Sequence, residues 1–141
     1  MNMLKFFGRS SSDSVQKALW MLGETKQPFE HIQLGGGFGG LDEPDYLKLN
    51  PHGRIPTLCD EDVVVWESNA IIRYLAAKYL PDSMWPNDLA ERAHADQWMD
   101  WAQTRLYPDF NKLFWLTIRT PETEQDQNLI NETNSRLTDF L

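Results

Sequence analysis

The chain has 141 residues, of which 41% are hydrophobic, and it carries 13 Lys and Arg against 21 Asp and Glu, for a net charge of −8. This acidic balance argues against nucleic-acid binding, which needs a basic face, and no apolar run approaches the ~20 residues of a membrane-spanning helix. The single cysteine, Cys59, excludes a disulfide framework and a CxxC motif. These features predict a soluble cytoplasmic protein with one domain and part of another.

The first 80 residues alternate short apolar runs, typical of strands, with amphipathic stretches, typical of helices. The predicted elements, in chain order, are a strand Met3–Phe7, a helix capped by Asp13 with its stripe at Val15, Ala18, Leu19 and Leu22, a strand Phe29–Leu34, a short helix Asp42–Leu49, a strand Ile55–Cys59, a strand Val63–Trp66 and a helix from Glu67 that stops at Pro81. The early alternation suggests a parallel pair of strands, and the last two strands suggest a hairpin. Residues 1–80 therefore predict an α/β domain with a mixed sheet.

Residues 81–88 are predicted to be a linker, and residues 89–141 show only helical patterns. Asp88 with Glu91 resembles a capping box. The long aromatic-rich helix that follows should kink or break at Pro108, and another helix should begin at Pro121. Residues 81–141 hold five basic and eleven acidic residues, against eight and ten in residues 1–80. The first part is therefore the better place for an anionic small ligand.

The glycine-rich loop Leu34–Asp42 contains the spacing Gly-x-Gly-x-x-Gly, which holds the pyrophosphate of a dinucleotide in Rossmann folds. The context argues against that use. The helix after the loop is short and ends at Asn50-Pro51, and Asp60 lies in a hairpin turn instead of at the end of a parallel strand. The loop is predicted to be a mobile connection beside a different ligand.

Two stretches of the first domain could bind one small ligand. Pro56 lies inside a predicted strand, where proline cannot donate to the ladder, and a cis bond there would leave the backbone of Ile55 free to pair with an outside peptide. The alternative is a plain edge strand. At the start of the third helix, Glu67 could accept from an ammonium group and Ser68 could donate to a carboxylate, beside unpaired helix amides. The alternative is ordinary helix capping.

A third stretch, Arg9–Ser14, places serines between the first strand and the first helix. A hydroxyl there can donate to a thiolate, and the nearby helix start favours ionised sulfur. The alternative is turn and capping chemistry, for which serine is well suited. A Ser-His-Asp hydrolase is a weak alternative, because no His–Asp pair stands near these serines in the sequence.

In this order, the stretches LKFFGRSSSDSVQKALW, LNPHGRIPTL and VVVWESNAIIRYLAAKY resemble the cytosolic glutathione S-transferase family, of the theta-like, bacterial serine type. The resemblance implies an α/β thioredoxin-like N-terminal domain over 1–80, with a mixed four-stranded sheet and three helices. It implies the first helices of an all-α C-terminal domain over 89–141. Because family members are longer, this second domain is expected to be truncated. The family further implies a cytoplasmic homodimer, in which Arg73 and Tyr74 of the third helix could face the partner. The alternative is a solvated arginine and a core tyrosine.

The resemblance also implies a glutathione site. The positions that match the family's glutathione-binding residues are His52, Arg54, Ile55, Pro56, Glu67 and Ser68. Within this set, the proline matches the family's cis-proline, and the backbone of Ile55 pairs with the cysteinyl part of glutathione. Glu67 and Ser68 match the pair that holds the γ-glutamyl end. Arg54, and more weakly His52, match positions at the glycine end.

The activating residue follows the first strand in this family. Ser12 is the first choice, Ser11 the second and Ser10 the third. The implied role is a hydrogen bond to the sulfur of glutathione, which serves as co-substrate without a metal, so that the thiolate attacks an electrophilic, mostly apolar small molecule in a detoxifying conjugation. The predicted wall of the electrophile pocket consists of Phe7, Arg9, Arg105, Tyr107 and Trp115.

Two alternatives to conjugation stay open on the same scaffold. A glutathione-dependent disulfide reductase or peroxidase can also use a hydroxyl beside the sulfur. A non-enzymatic binding or assembly module would be favoured if the Glu–Ser pair or the activating hydroxyl were missing. Conjugation ranks first because both features are present.

Overall fold

The computed structural model describes residues 3–140 and divides the chain into two compact units, one ending at Asn87 and the other beginning at Asp88. The first unit contains a sheet and three α-helices, and the second is helical. Between residues 3 and 140 no helix is both long enough and apolar enough to cross a membrane.

The first unit is a thioredoxin-like mixed sheet with helices. Its elements are β1 (Leu4–Phe7), α1 (Asp13–Thr25), β2 (Phe29–Ile32), α2 (Pro44–Leu49), β3 (Thr57–Asp60), β4 (Val63–Trp66) and α3 (Ser68–Tyr79). The strand order is β2-β1-β3-β4. β1 runs parallel to β2, with Leu4 opposite Phe29, and antiparallel to β3, with Lys5 opposite Cys59. β3 and β4 form the antiparallel hairpin. The predicted fold class is confirmed.

The core of this unit joins the central strands to α1 and α3. Phe6 of β1 and Leu58 of β3 are fully buried, and Val15 and Leu22 of α1 and Ile71 of α3 pack in the same cluster. The apolar stripe predicted for α1 is therefore the face that it buries. Burying one such side chain contributes about 1.5–3 kcal/mol, so this packing holds α1 and α3 firmly against the sheet.

Asp60 ties the end of β3 to the last turns of α3. Its carboxylate Oδ2 accepts hydrogen bonds from the hydroxyls of Tyr74 (2.8 Å) and Tyr79 (2.7 Å) and from Lys78 Nζ (2.8 Å). Burial alone would raise the pKa of Asp60, but these donors outweigh it and hold the pKa below its ordinary value. A pocket of about 280 Å³ lies beside this cluster, at the opposite end of β3 from Pro56.

Several element starts differ from the predicted boundaries. β1 begins at Leu4 instead of Met3, and α2 begins at Pro44 instead of Asp42. α1 begins at Asp13, so Ser12 and not Asp13 occupies the N-cap position, and the Ser12 side chain does not cap the helix. β3 begins at Thr57 instead of Ile55, because Pro56 has no N–H for the ladder. α3 begins at Ser68, with Glu67 in the N-cap position.

The second unit contains α4 (Leu89–Trp101), α5 (Tyr107–Phe114) and α6 (Gln127–Phe140). Asp88 caps α4 as predicted, because its carboxylate accepts from the backbone N–H of Ala90 (2.9 Å) and of Glu91 (3.0 Å). This cap satisfies two amides that the helix itself leaves unpaired.

Of the kink or break predicted at Pro108, the break does not occur. A π-helical segment, Ala102–Leu106, joins α4 to α5, and the amide of Tyr107 bonds to the carbonyl of Ala102, five residues back. A second π-helical segment, Trp115–Arg119, follows α5. The wider turn before the proline accommodates a ring that would clash with a carbonyl in a regular α-helix. The chain therefore stays helical through Pro108.

The last helix starts later than predicted. Residues Glu122–Glu124 form a 3₁₀ turn, and α6 begins at Gln127. The Oδ1 atom of Asp126 accepts from the backbone N–H of Leu129 at 3.0 Å, which makes Asp126 the capping residue instead of the region around Pro121. The buried face of α6 consists of Ile130, Thr133 and Leu137.

Candidate active site

The turn before β3 leaves one stretch of backbone open. The Ile55-Pro56 bond is cis, as the resemblance implied. Pro56 is buried and Ile55 is half-buried. In the part of the chain that the structure describes, neither the N–H nor the C=O of Ile55 forms a hydrogen bond. Because backbone groups that are withdrawn from water need a partner, this residue can pair with an extended ligand.

Two side chains hold the turn before β3 in place, one from α2 and one from the residue that follows this helix. The hydroxyl of Tyr46 donates to the carbonyl of Arg54 and lies 2.9 Å from Thr57 Oγ1. The Nδ2 of Asn50 donates to the same carbonyl (2.9 Å) and to Thr57 Oγ1 (3.2 Å). Burial raises the pKa of the Tyr46 phenol, which keeps it a donor. The sequence pattern did not indicate these anchors, although an Asn before Pro-His-Gly is a turn signal.

Glu67 and Ser68 lie at the start of α3, where β4 passes into the helix. Glu67 is exposed and has φ 70° and ψ 119°, a region that costs a non-glycine residue about 1–3 kcal/mol. Ser68 is buried, and among the described residues its hydroxyl makes no hydrogen bond. The first amides of a helix lack internal partners and favour an anion. The arrangement can therefore bind a carboxylate beside an ammonium group.

Lys17 links the two helices that start at the site. Its Nζ donates to Asn69 Oδ1 at 2.6 Å, which joins α1 to the first turn of α3. Burial lowers the pKa of Lys17, while the charges of Asp13 and Glu67 oppose that shift. No sequence motif pointed to this pair, because its members lie 52 residues apart.

The three serines before α1 differ in their surroundings. Ser10 and Ser11 are exposed, and Ser12 is half-buried. The hydroxyl of Ser10 accepts from Nε2 of Gln33 at 2.8 Å. Between residues 3 and 140 the hydroxyls of Ser11 and Ser12 have no partner. Ser12, at the N-terminal end of α1, thus presents an uncommitted donor, and its role towards sulfur stays a prediction.

The glycine loop lies against the turn that contains Ile55. A Cβ built on Gly35 would meet Ile55 Cδ1 at 3.3 Å, and one on Gly36 would meet Arg9 Cδ at 3.0 Å. The Gly35 N–H donates to the carbonyl of Gly39 at 2.8 Å and closes the loop. The six-residue α2 that follows is too short for the crossover helix of a dinucleotide fold. The predicted mobility of the loop stays a prediction.

The remaining predicted residues have simpler surroundings. Arg54 and His52 are exposed, and the His52 ring contacts Trp66 edge-on at 4.8 Å. The ring of Phe7 packs against the ring of Tyr46, with 5.9 Å between the ring centroids. Arg9, the other predicted wall residue of the first unit, is half-buried. The remaining three predicted members, Arg105, Tyr107 and Trp115, lie in the second unit. Within residues 3–140, no three metal-type ligands gather into a group.

The chain belongs to the glutathione S-transferase family. Residues 2–77 match the glutathione S-transferase N-terminal domain. Glutathione S-transferase GstB of Escherichia coli strain K12 is 42% identical over 130 residues, which cover 91% of this chain and 62% of the relative. The chain thus spans less than two thirds of that relative's length.

Solved structures share the fold across both units. The theta-class glutathione S-transferase of Xanthomonas axonopodis pv. citri, solved with glutathione bound, matches with a TM-score of 0.92 and 44% identity, covering 100% of this chain and 68% of that one. Poplar glutathione transferase F1 matches with a TM-score of 0.87 and 27% identity, covering 99% and 66%.

Proposed function

We propose that this protein is a glutathione transferase that conjugates the glutathione thiolate to an electrophilic, mostly apolar small molecule. The observation that carries the proposal is the set of uncommitted polar groups in the first unit. These are the backbone of Ile55, the hydroxyl of Ser68 and the hydroxyl of Ser12. The Xanthomonas relative, which was solved with glutathione, supports glutathione as the ligand.

The binding part of the proposal follows the chemistry of the tripeptide. The cysteinyl peptide unit pairs with the backbone of Ile55. At the γ-glutamyl end, Ser68 and the start of α3 take the carboxylate and Glu67 takes the ammonium group. Arg54 and, more weakly, His52 lie next to the Ile55 turn and supply positive or donor groups for the glycine carboxylate.

The chemical part of the proposal needs one hydrogen bond and no covalent intermediate on the protein. Ser12 donates to the sulfur, the thiol proton passes to solvent, and the thiolate is stabilised near the start of α1. The sulfur then forms a bond to the electrophilic carbon, and the leaving group departs with the electron pair of the broken bond. The protein contributes thiolate fraction and proximity.

Conjugation is favoured over disulfide reduction, over peroxidase chemistry and over a purely binding role. The relatives are named transferases, and the chain keeps both the Glu67–Ser68 pair and the serines before α1. A cytoplasmic homodimer, the wall Phe7, Arg9, Arg105, Tyr107 and Trp115 and a role in detoxification belong to the same proposal.

The test is a calorimetric titration with glutathione, followed by ultraviolet titration of the bound thiolate. We expect binding to the unmodified protein and a marked loss of affinity in Ser68→Ala. Ser12→Ala should raise the apparent pKa of bound glutathione by about one to two units, the value of a hydrogen bond to a charged group, with little loss of affinity. Ser11→Ala is the matched control and should leave this pKa unchanged. A folded protein that does not bind glutathione refutes the proposal.

A further inference from the structure

Ser10 is fixed by two glutamines that belong to different elements. Its N–H donates to Gln33 Oε1 at 3.1 Å, and its hydroxyl accepts from Gln33 Nε2 at 2.8 Å. Its carbonyl accepts from Gln16 Nε2 on α1 at 3.0 Å. The N–H, the carbonyl and the hydroxyl oxygen of Ser10 are thus engaged by these side chains. We call this set of three hydrogen bonds the Ser10 clamp.

The clamp extends contacts that already hold the start of the serine loop. Gly8 donates its N–H to the carbonyl of Ile32 at 2.9 Å, and His31 Nε2 lies 2.7 Å from the carbonyl of Gly8. Gln33 follows directly after these β2 residues. The chain is therefore tied to β2 at Gly8 and again at Ser10, where Gln16 also ties it to α1.

Only Ser11 and Ser12 remain between the clamp and the first residue of α1. The Ser12 N–H donates to the carbonyl of Arg9 at 3.2 Å, and its own carbonyl accepts from Gln16 N–H at 2.9 Å. The two free hydroxyls of the loop thus belong to a short segment that is held at both ends. A donor to sulfur has to lie within a few tenths of an ångström of its place, because hydrogen bonds weaken steeply with distance and angle.

We propose that Gln33, assisted by Gln16, is a positioning residue that fixes Ser10 and thereby presents Ser12 to the sulfur of the ligand. The inference rests on the proposed function. It also gives a physical reason for the choice of serine, because the clamp holds Ser10 against Gln33 and sets the register of the residues after it. Gln33 leads directly into the glycine loop, so the clamp couples that loop to the serines.

A purely structural role for Gln33 predicts that breaking the clamp lowers thermal stability, whereas a positioning role predicts that stability hardly changes. Gln33 is exposed, and hydrogen bonds between exposed groups stabilise a fold only slightly, because water replaces a lost partner. Breaking the clamp should therefore leave thermal stability nearly unchanged. The effect should fall on the ionisation of the bound thiol, which depends on where the Ser12 hydroxyl lies.

The experiment compares Gln33→Met, Ser10→Ala and Gln27→Met with the unmodified protein. Methionine keeps the length of the side chain and removes its hydrogen bonds. Gln27 precedes β2, at the other end of the strand, and is the matched control. The readouts are thiolate absorbance of bound glutathione against pH, glutathione affinity by calorimetry, and the melting temperature.

For Gln33→Met we expect the thiolate fraction at neutral pH to fall about three- to tenfold, the factor that corresponds to one ordinary hydrogen bond, while glutathione affinity changes less than about twofold. Ser10→Ala keeps the N–H contact and should give a smaller shift in the same direction. Gln27→Met should give none. An unchanged titration of the bound thiol in Gln33→Met, or an equal shift of its pKa in Gln27→Met, contradicts the positioning role of Gln33.

Ser12→Ala, measured alongside, separates the two proposals. If Ser12→Ala shifts the thiol pKa and Gln33→Met does not, Ser12 acts without the clamp and only this inference is wrong. If Ser12→Ala itself has no effect, the assignment of Ser12 in the proposed function is wrong, and the inference is wrong with it.

Discussion

The carboxylate of Asp60 gives the sharpest test of how the first unit is held together. Its side chain is 4% exposed and accepts three hydrogen bonds from α3, one of them from a lysine. In Asp60→Asn the amide oxygen can take the place of Oδ2 and still accept, but the negative charge that strengthens these bonds and pairs with Lys78 is lost. Because the Lys78 side chain is 39% exposed, the expected cost is the loss of charge assistance in these hydrogen bonds, about 1–3 kcal/mol.

The same contacts give this loss a defined pH dependence. Because the pKa of folded Asp60 is lowered, its contribution to stability is fully present above the ordinary carboxyl pKa and is lost as pH falls through the lowered value. The variant lacks the titrating group. The difference in free energy of unfolding between the two proteins should therefore be largest near neutral pH and should shrink under acid conditions.

Urea unfolding followed by circular dichroism measures this difference. With a urea dependence of about 2 kcal/mol per molar, the expected loss moves the midpoint at pH 7 down by about 0.5–1.5 M. Asp62→Asn, in the exposed turn of the same hairpin, is the control and should shift it little. A variant as stable as the unmodified protein, or a difference that stays constant between pH 7 and pH 3, would refute the account of Asp60.

Two further pairs of substitutions test the packing and the backbone conformation of the first unit. Leu58→Ala, at a fully buried position of β3, should lower the free energy of unfolding by about 2–5 kcal/mol, whereas Val64→Ala on the exposed side of β4 should cost much less; equal losses in urea unfolding would contradict the assigned core. Gly53→Ala should destabilise by at least about 1–2 kcal/mol, because φ is +57° and the new Cβ would lie 2.9 Å from the carbonyl oxygen of Leu41. Gly23→Ala, in α1 with open space around it, should instead stabilise by about 0.5–1 kcal/mol, and a gain at both glycines would show that the backbone at Gly53 is described wrongly.

Local patterns were enough to predict the first unit. The stripe from Val15 to Leu22 and the hairpin around Asp60 follow from spacing alone, because each depends on neighbours a few residues apart. The cis bond before Pro56 needed the family resemblance, since the dipeptide alone equally suits an edge strand.

The second unit and the details of the site depended on contacts that spacing does not encode. Pro108 continues a helix because the turn before it widens to a π-helical form, which no propensity for a single residue indicates. The placement of Ser10 depends on Gln33, which lies 23 residues from it in the sequence. Such partners meet only once the parallel pairing of β1 and β2 has formed.

Cys59 provides a natural labelling site in the centre of the sheet. It lies in β3, opposite Lys5 of β1 and Val64 of β4, and burial raises the pKa of its thiol. It is also the sole cysteine of the sequence, so a thiol reagent has one target in the protein. Because the thiolate is the reactive form, this half-buried thiol is labelled more slowly while the strands stay paired than once they separate. An increase in the rate of labelling therefore reports opening of the central strands.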